Sequence, residues 1–392
     1  MKLLLTTLAA MCTFGTYQLT KNSADTTEVT SSKQEIIQAK KPASSSKIQV
    51  AILLDVSNSM DGLIDQAKSQ LWNMVNTVGK ATCEGETPAI EIALYEYGRS
   101  SNNQRDGYIK KVSPFTKDLD QLSEELFKLT TNGGDEYCSH VIYISLQQLN
   151  WDTAANTYKV IFIAGNEDFN QGSVTWSTAC AEAKRKGVTV NTIYCGDRAQ
   201  GMREHWNLGS ECGNGSYTNI NQNAKLEDIR TPYDSMLFVL NDKLNVTYIG
   251  YGTMGESKAA KQVMMDKANK SVSANTMAAR VSVKGKANLY KNEEWDLVDA
   301  TAKDPAIIEK VDMKSLPAEY KNKTKEEVKQ LIQQKGIERG KLQNQIAALS
   351  AQREAYIAAE RKKNATKAEA TLETEVERVI KQQVRRYNMI IE

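Results

Sequence analysis

Three oxygen-bearing side chains, Asp55, Ser57 and Ser59, stand at alternate positions in this 392-residue chain. The residues that precede them, 48–54, are almost wholly apolar, which is typical of a strand covered on both faces of a sheet. The three side chains therefore fall where that strand ends, at the edge where open α/β sheets bind their ligands. Carboxylate and hydroxyl oxygens suit a hard cation such as Mg²⁺, which keeps coordination positions open for an outside ligand.

The composition argues against several other kinds of chemistry. The chain has only two histidines, His140 and His205, which leave little material for a histidine-based metal site or a catalytic triad. Cys138 lies near His140, but two side chains on one helix turn make a poor nucleophile and base, so a hydrolase is the least favoured function. The formal net charge of +2 gives no reason to expect nucleic-acid binding. We therefore predict a protein that is not an enzyme.

The elements that must position these side chains follow from the pattern of apolar residues. Between residues 47 and 250, short apolar runs alternate with stretches of helical period. Strands are predicted over 48–54, 89–97, 107–112, 158–164 and 188–194, and helices over 63–78, 119–129, 137–149, 174–186 and 232–244. Strands that alternate with helices predict an α/β fold with a doubly wound, mainly parallel, Rossmann-like sheet.

The segment Asp55-Val56-Ser57-Asn58-Ser59 matches the Asp-x-Ser-x-Ser signature of the von Willebrand factor A (VWA) domain, and residues 47–250 resemble that domain in the order of their elements. The resemblance implies a metal-ion-dependent adhesion site (MIDAS) at the upper edge of the sheet, holding Mg²⁺, or Mn²⁺ or Ca²⁺ in its place. It further implies that Ser57 and Ser59 bind the metal directly and that Asp55 acts mostly through water. In this family an acidic residue of a partner takes the open metal position.

A second loop of the resemblance follows a pair of glycines. The family usually has a threonine after this pair, whereas Gly133-Gly134 is followed here by Asp135. We expect Asp135 to bind the metal, because a carboxylate in that place adds negative charge to the site. Thr131 is the alternative hydroxyl donor in the same loop.

The third loop of the resemblance departs further from the family pattern. An aspartate usually follows the fourth strand, but Gly165 stands at that position. Glu167 or Asp168 would then substitute for it through a shifted loop. The alternative to a metal site is a degenerate one, in which Asp55 caps the following helix and the serines bond to loop backbone.

These observations predict an exported binding module of VWA type that uses a divalent cation to engage a carboxylate of a protein or peptide partner, in adhesion or in complex assembly. The alternative is a metal-independent scaffold or assembly protein with a degenerate site. The fold alone does not select among the partners of this family.

The first residues have the pattern of a secretory signal. Residues 1–19 carry one positive charge and then an apolar stretch too short to span a membrane, and residues 20–46 are a polar linker. Cys12 faintly resembles a lipoprotein anchor, but Met11 replaces the small residue that such a signal needs. We therefore expect an exported protein, periplasmic or secreted and of bacterial origin, and lipid anchoring at Cys12 is the less favoured alternative.

Export would permit disulfide bonds. Five cysteines follow the predicted signal, and two of them that are close in sequence, Cys195 and Cys212, both follow predicted strand ends. We expect a disulfide between them, and the alternative is that the cysteines are small buried side chains.

The C-terminal part of the chain differs in character. Residues 251–316 predict a mixed connecting region, and residues 317–392 predict a mostly α-helical tail. Leu342, Leu349 and Tyr356 repeat every seven residues, a short seam that predicts a coiled coil and self-association. The alternative is an amphipathic helix that packs back on its own domain.

Overall fold

A central six-stranded sheet organises the chain. The structure, a computed structural model, describes residues 46–211, 213–224, 228–363 and 369–391. Its strands are β1 (Lys47–Asp55), β2 (Ala81–Cys83), β3 (Ala89–Tyr97), β4 (Lys110–Thr116), β5 (Thr157–Gly165), β6 (Thr189–Cys195), β7 (Tyr217–Ile220) and β8 (Met389–Ile391). The sheet order is β4-β3-β1-β5-β6-β7, with β4 antiparallel to β3 and the other neighbours parallel. The doubly wound, mainly parallel sheet predicted from the sequence is confirmed.

Helices cover both faces of this sheet. They are α1 (Asp61–Val78), α2 (Leu119–Lys128), α3 (Cys138–Gln148), α4 (Trp176–Lys186), α5 (Arg198–Arg203), α6 (Trp206–Glu211), α7 (Asp234–Asn245), α8 (Gly255–Val272), α9 (Ala274–Lys284), α10 (Leu297–Lys303), α11 (Ile307–Lys310), α12 (Lys325–Lys363) and α13 (Leu372–Gln383). Side chains of β1 alternate between two cores: Val50 and Leu54 pack with α1, α2 and α13, whereas Ala51 and Leu53 pack with α3, α4 and α6. Burial on both faces explains why the strand sequences are continuously apolar.

The chain reverses its direction of winding at β1. From β1 it proceeds to β3 on one side, and it later returns to β5 on the other side. Such a switch point leaves a crevice outside the carboxyl ends of the two strands, where ligands bind in open α/β sheets. Asp55 ends β1 and Gly165 ends β5, and their preceding residues Leu54 and Ala164 are paired in register. The Asp-x-Ser-x-Ser segment therefore lies at the switch point.

The last described residues return to the sheet. Leu372, Val376 and Ile380 of α13 are buried in the same core as β1 and α1, and β8 pairs with β2. The predicted boundary at residue 317 consequently does not separate a tail from the sheet domain. The reason is that α13 packs against the sheet and against α1. For example, Glu373 of α13 bonds to Gln70 of α1, 303 positions earlier in the chain.

The long helix α12 packs on its own chain. Its first part, at Val328 and Ile332, joins a core with α10, and Leu342 and Ile346 join a second core with α7 and α9. The heptad residue Leu342 is thus buried within the chain, as the alternative to self-association predicts. None of the described helices is long and apolar enough to cross a membrane.

Buried charges connect the helical region to the sheet domain. Arg280 of α9 is fully buried, and it pairs with Asp120 of α2 at 2.5 Å and with Asp266 of α8 at 2.6 Å. Lys284 contacts the same Asp266 at 3.0 Å, and the Arg280 guanidinium lies 4.6 Å from the centre of the Trp72 ring. The two cations lower the pKa of Asp266 against the opposing effect of its burial. The described helices α8 and α9 are therefore fixed to α1 and α2 by specific polar contacts.

The predicted disulfide between Cys195 and Cys212 is wrong for Cys195, which carries a free, buried thiol at the end of β6. The Cys195 side chain packs in the core beneath α1, whereas α6, which ends at Glu211, contacts the opposite face of the sheet through Trp206. Cys212 itself lies outside the described residues. Cys180 of α4 is disulfide-bonded, and Cys138 is a buried free thiol, as the alternative of small buried side chains predicts.

Candidate metal centre

Asp55 is the innermost side chain at the switch point. Its side chain is fully buried, and its Oδ1 atom accepts a hydrogen bond of 2.7 Å from the backbone amide of Ser57. Its Oδ2 atom is buried and has no hydrogen-bond partner among the described residues. A buried carboxylate oxygen without a partner is energetically costly, so this atom needs a proton or a cation.

The hydroxyl groups of the first loop lie side by side. One turn of 3-10 helix, Asn58–Met60, follows Ser57 and leads into α1, and this turn places Ser57 Oγ and Ser59 Oγ 3.3 Å apart. The Ser59 hydroxyl also lies 3.3 Å from Oδ1 of Asn166, in the loop after β5. Two oxygens bound at right angles to one cation are separated by about 2.9 Å for Mg²⁺ and by about 3.3 to 3.7 Å for Ca²⁺, given the usual metal–oxygen distances. Both distances from Ser59 Oγ, to Ser57 Oγ and to Asn166 Oδ1, thus lie in the range for Ca²⁺ and exceed the value for Mg²⁺.

The second loop is held close to the first. Asn132 donates a backbone hydrogen bond to Val56 and Ser100 donates one to Gly133, while a Cβ atom on Gly134 would collide with the backbone of residues 98–100. This close approach explains the glycine at 134. Thr131 donates its hydroxyl to Asp61 at the start of α1, so Thr131 is engaged outside the set of Ser57, Ser59 and Asn166.

The structure turns Glu136, and not Asp135, towards Asp55. Asp135 is exposed and its carboxylate accepts a hydrogen bond of 3.2 Å from the Tyr137 hydroxyl. Glu136 is buried, and the Asp55 carboxylate and the Glu136 side-chain stem both lie against Gly98: a Cβ atom on Gly98 would lie 2.8 Å from Asp55 Oδ1 and 2.8 Å from Glu136 Cγ. Alternating side-chain directions along this extended loop put neighbouring residues on opposite sides, which is the physical reason for the difference from the sequence prediction.

The third loop contributes an amide. Gly165 has no room for a side chain, because a Cβ atom there would collide with the Tyr97 hydroxyl and lie 3.0 Å from Asp55 Oδ2. Asn166, the next residue, presents its side-chain oxygen to Ser59. Glu167 lies near enough for its charge to affect Asp55, although its backbone oxygen is held by the Trp206 indole at 2.7 Å.

Asp168 is directed elsewhere. Its Oδ1 atom lies 3.2 Å from His205 Nδ1 and accepts a hydrogen bond of 2.8 Å from the Asn170 amide. Of the two substitutes predicted for the third loop, Glu167 is thus the one that the structure brings towards Asp55.

Burial and neighbouring acidic groups raise the pKa values of the carboxyl groups at the site. Burial raises the pKa of Asp55 to about 7, with a further contribution from the charge of Glu167, while hydrogen bonds from Ser57 oppose the rise. Burial, together with the charges of Asp55 and Glu167, raises the pKa of Glu136 to about 8. A divalent cation between the carboxyl groups would offset this repulsion.

The donor set is oxygen-only and mixed in type. Within the described ranges no three His, Cys, Asp or Glu side chains come together as a group that could hold a metal ion. The oxygens gathered here come instead from two carboxyl groups, two hydroxyls and one amide, the donor types that Mg²⁺ and Ca²⁺ accept. The residues present therefore fit a hard divalent cation.

Sequence reasoning misses Glu136 and Asn166. Each directly follows a residue at which the family resemblance sets an expectation, Asp135 and Gly165. The signal that could identify Glu136 is the run of two acids after the glycine pair, which offers one acid to each side of the loop. No comparable signal marks Asn166.

Comparison with known proteins gives structural matches only. No protein-family model matches the chain, and no curated protein matches its sequence. Solved structures match over 45% of the chain. They include proximal thread matrix protein 1 from the mussel byssus with a zinc-occupied MIDAS motif (11% identity, TM-score 0.35, 42% of that chain covered), a von Willebrand factor type A structure from Catenulispora acidiphila (15%, 0.33, 39%) and the SpRpn10 VWA domain (14%, 0.31, 88%).

The matched region spans less than half of the mussel and Catenulispora chains. At these identities and TM-scores the similarity carries no information about what this chain binds.

Proposed function

We propose that this chain is an exported binding module that holds a divalent cation at the carboxyl edge of its sheet and uses it to engage an acidic group of a protein partner. Asp55, Ser57 and Ser59 would hold the cation, and the cation would supply a position that attracts a carboxylate. Two features support this location for the cation. The Ser57 amide donates a hydrogen bond that orients the Asp55 carboxylate, and the turn after Ser57 holds the two serine hydroxyls side by side.

One observation carries the proposal. A fully buried carboxylate oxygen, Oδ2 of Asp55, has no partner among the described residues, and it belongs to the same loop as the closely spaced Ser57 and Ser59 hydroxyls. A loop built only to cap α1 would satisfy its own polar groups, and the Ser57 side chain makes no capping bond to the turn that follows. The degenerate-site alternative therefore requires Asp55 to carry a proton, whereas a bound cation would satisfy its ionised form.

Cys138, the candidate nucleophile, is poorly suited to catalysis, which favours a binding role. Cys138 is fully buried against the Tyr97 hydroxyl at 3.7 Å, and burial raises the pKa of its thiol well above the ordinary value. Burial also lowers the pKa of His140. A buried, protonated thiol is a poor nucleophile. Export rests on the N-terminal sequence and belongs to this proposal as well.

The test is thermal melting of the purified chain in EDTA and in millimolar Mg²⁺, Mn²⁺ or Ca²⁺. A ligand that binds only the folded state raises the melting temperature, and we expect such a rise for the wild type and none for Asp55→Ala combined with Ser57→Ala. A wild type with no metal-dependent shift would leave the metal-independent scaffold as the function. If the shift is present, a metal-dependent pull-down from extracts of the source organism tests for the partner. Ser59→Ala, which removes one proposed metal ligand, is the negative control.

A further inference from the structure

We propose that Glu136 is the second carboxylate ligand of the cation, in the place that the sequence pattern gives to Asp135. This inference rests on the proposed function, because it needs a cation at the switch point. The ligand set would then differ from the VWA pattern in two loops: Glu136 would act in the second loop, and the third loop has Gly165 where the family has an aspartate.

The first argument is the convergence of two acids. The Glu136 side chain is 7% exposed and Asp55 is 0% exposed, and both pack against Gly98, where a Cβ would lie 2.8 Å from Asp55 Oδ1 and 2.8 Å from Glu136 Cγ. The charge of Asp55 also acts on Glu136, so the two acids interact. Gly98 has φ of +81°, a left-handed conformation that favours glycine, so the backbone is shaped to let the acids approach. Two ionised acids drawn together from separate loops would need a common cation, unless they carry protons.

The second argument is that no basic side chain in the described part of the chain is paired with either acid. Among the ion pairs of the described chain, the basic residue nearest in sequence to Gly98, Arg99, faces Glu96 at 3.8 Å and donates to the Thr130 hydroxyl at 3.0 Å. Asp55 and Glu136 form none of the ion pairs found within the described ranges. A buried pair of like charges without compensation is strongly unfavourable, whereas a divalent cation between them removes the repulsion.

The third argument is the contrast between neighbours. Asp135 is exposed and bonds to Tyr137, whereas the backbone around Glu136 is fixed by bonds from its amide to Gln171 Oε1 at 3.4 Å and from the Cys138 amide to its carbonyl at 3.1 Å. These bonds hold the start of α3 against the loop after β5. The Glu136 side chain is therefore positioned, and the Asp135 side chain is a surface group.

The two neighbours give a matched pair of variants, Glu136→Gln and Asp135→Asn, each of which removes one charge and keeps the shape of the side chain. Metal affinity is measured by calorimetric titration with Mg²⁺ and Mn²⁺, and folding by melting in EDTA. We expect Glu136→Gln to weaken metal binding at least 10-fold and Asp135→Asn to change it less than about threefold, because loss of a group that orients or binds a metal costs about 10- to 100-fold.

The outcomes separate this inference from the proposed function. A wild type that binds no metal overturns both. Metal binding that survives Glu136→Gln within about threefold, or that is lost in Asp135→Asn, overturns the assignment of Glu136 alone. In EDTA we expect Glu136→Gln to melt no lower than the wild type, since it relieves repulsion from Asp55; a clearly lower melting temperature would make Glu136 a structural residue and overturn the assignment.

Discussion

Asn191 of β6 and Gln383 of α13 exchange two hydrogen bonds between their buried carboxamide groups. The Gln383 amide donates to Asn191 Oδ1 at 2.7 Å, and the Asn191 amide donates to Gln383 Oε1 at 3.1 Å. The Tyr158 hydroxyl donates to the same Gln383 oxygen at 2.7 Å. This pairing across 192 positions makes the C-terminal helix part of the sheet domain.

Replacement of Gln383 by alanine should destabilise the whole sheet domain. It leaves the Asn191 Nδ2 donor and the Tyr158 hydroxyl buried without the Gln383 oxygen, while Asn191 Oδ1 keeps the Ser216 amide, and we expect it to lower the free energy of unfolding by about 2 to 4 kcal/mol. Gln382, the exposed neighbour on α13, is the matched control, and Gln382→Ala should change stability by less than about 0.5 kcal/mol. Urea unfolding of the two variants measures the difference. Equal stabilities would show that α13 is not fixed to the sheet.

The ion pair between Asp120 and Arg280 should be required for the helical region to stay on the sheet domain. Asp120→Ala leaves the fully buried Arg280 with one carboxylate partner fewer, and removal of one member of a buried pair costs about 3 to 5 kcal/mol. Glu125→Ala on the same helix is the control, because Glu125 bonds to the exposed Lys128 and such surface pairs contribute about 1 kcal/mol or less. Thermal melts compare the two. A loss in Asp120→Ala no larger than that in the control would contradict the prediction.

Replacing Gly165 by aspartate, the residue usual at this position in VWA domains, should destabilise the protein. Gly165→Asp would drive its Cβ into the Tyr97 hydroxyl and bring a third acid against Asp55, so we expect a large loss of stability and no gain in metal affinity. Adding Tyr97→Phe removes the colliding hydroxyl and should recover part of the loss. Gly340 is a contrasting control: it lies within α12 with open space around its Cα, and Gly340→Ala should stabilise by about 0.5 to 1 kcal/mol. A Gly165→Asp protein as stable as the wild type would contradict the close packing.

The sheet could be predicted from the sequence because burial on both faces leaves continuous apolar runs such as residues 48–54. The return of α13 could not be predicted, since its apolar stripe is compatible with any apolar surface and its partner Asn191 is remote in sequence. The Asp-x-Ser-x-Ser loop is local, so its donors follow from spacing alone. The choice between Asp135 and Glu136 depends on which side of the loop faces Asp55. The loop backbone there is held by a tertiary bond to Gln171 as well as by the local Cys138 amide.

The stability of the metal-free protein should fall as the pH rises through neutrality. The folded-state pKa values of Asp55 and Glu136 are raised to about 7 and about 8, above the ordinary values of 3.8 and 4.5. The unfolded chain therefore releases these protons first, between about pH 4 and pH 5, while the folded chain keeps them until about pH 7 to 8. The contribution of the two groups to the free energy of unfolding is full below pH 4, declines between about pH 4 and pH 8, and is absent above that range.

A divalent cation should oppose this decline, because it binds the ionised carboxylates and displaces their protons. We expect the metal-induced rise in melting temperature to grow between pH 6 and pH 8, the range in which Asp55 and Glu136 ionise in the folded state. The measurement is a series of melts at each pH, with EDTA and with Mg²⁺, on the wild type and on Asp55→Asn combined with Glu136→Gln. The double variant lacks both titrating groups, so it should lose this part of the pH dependence and the metal response together. A double variant that keeps the wild-type decline in EDTA would assign the pH dependence to other groups and separate it from the metal site.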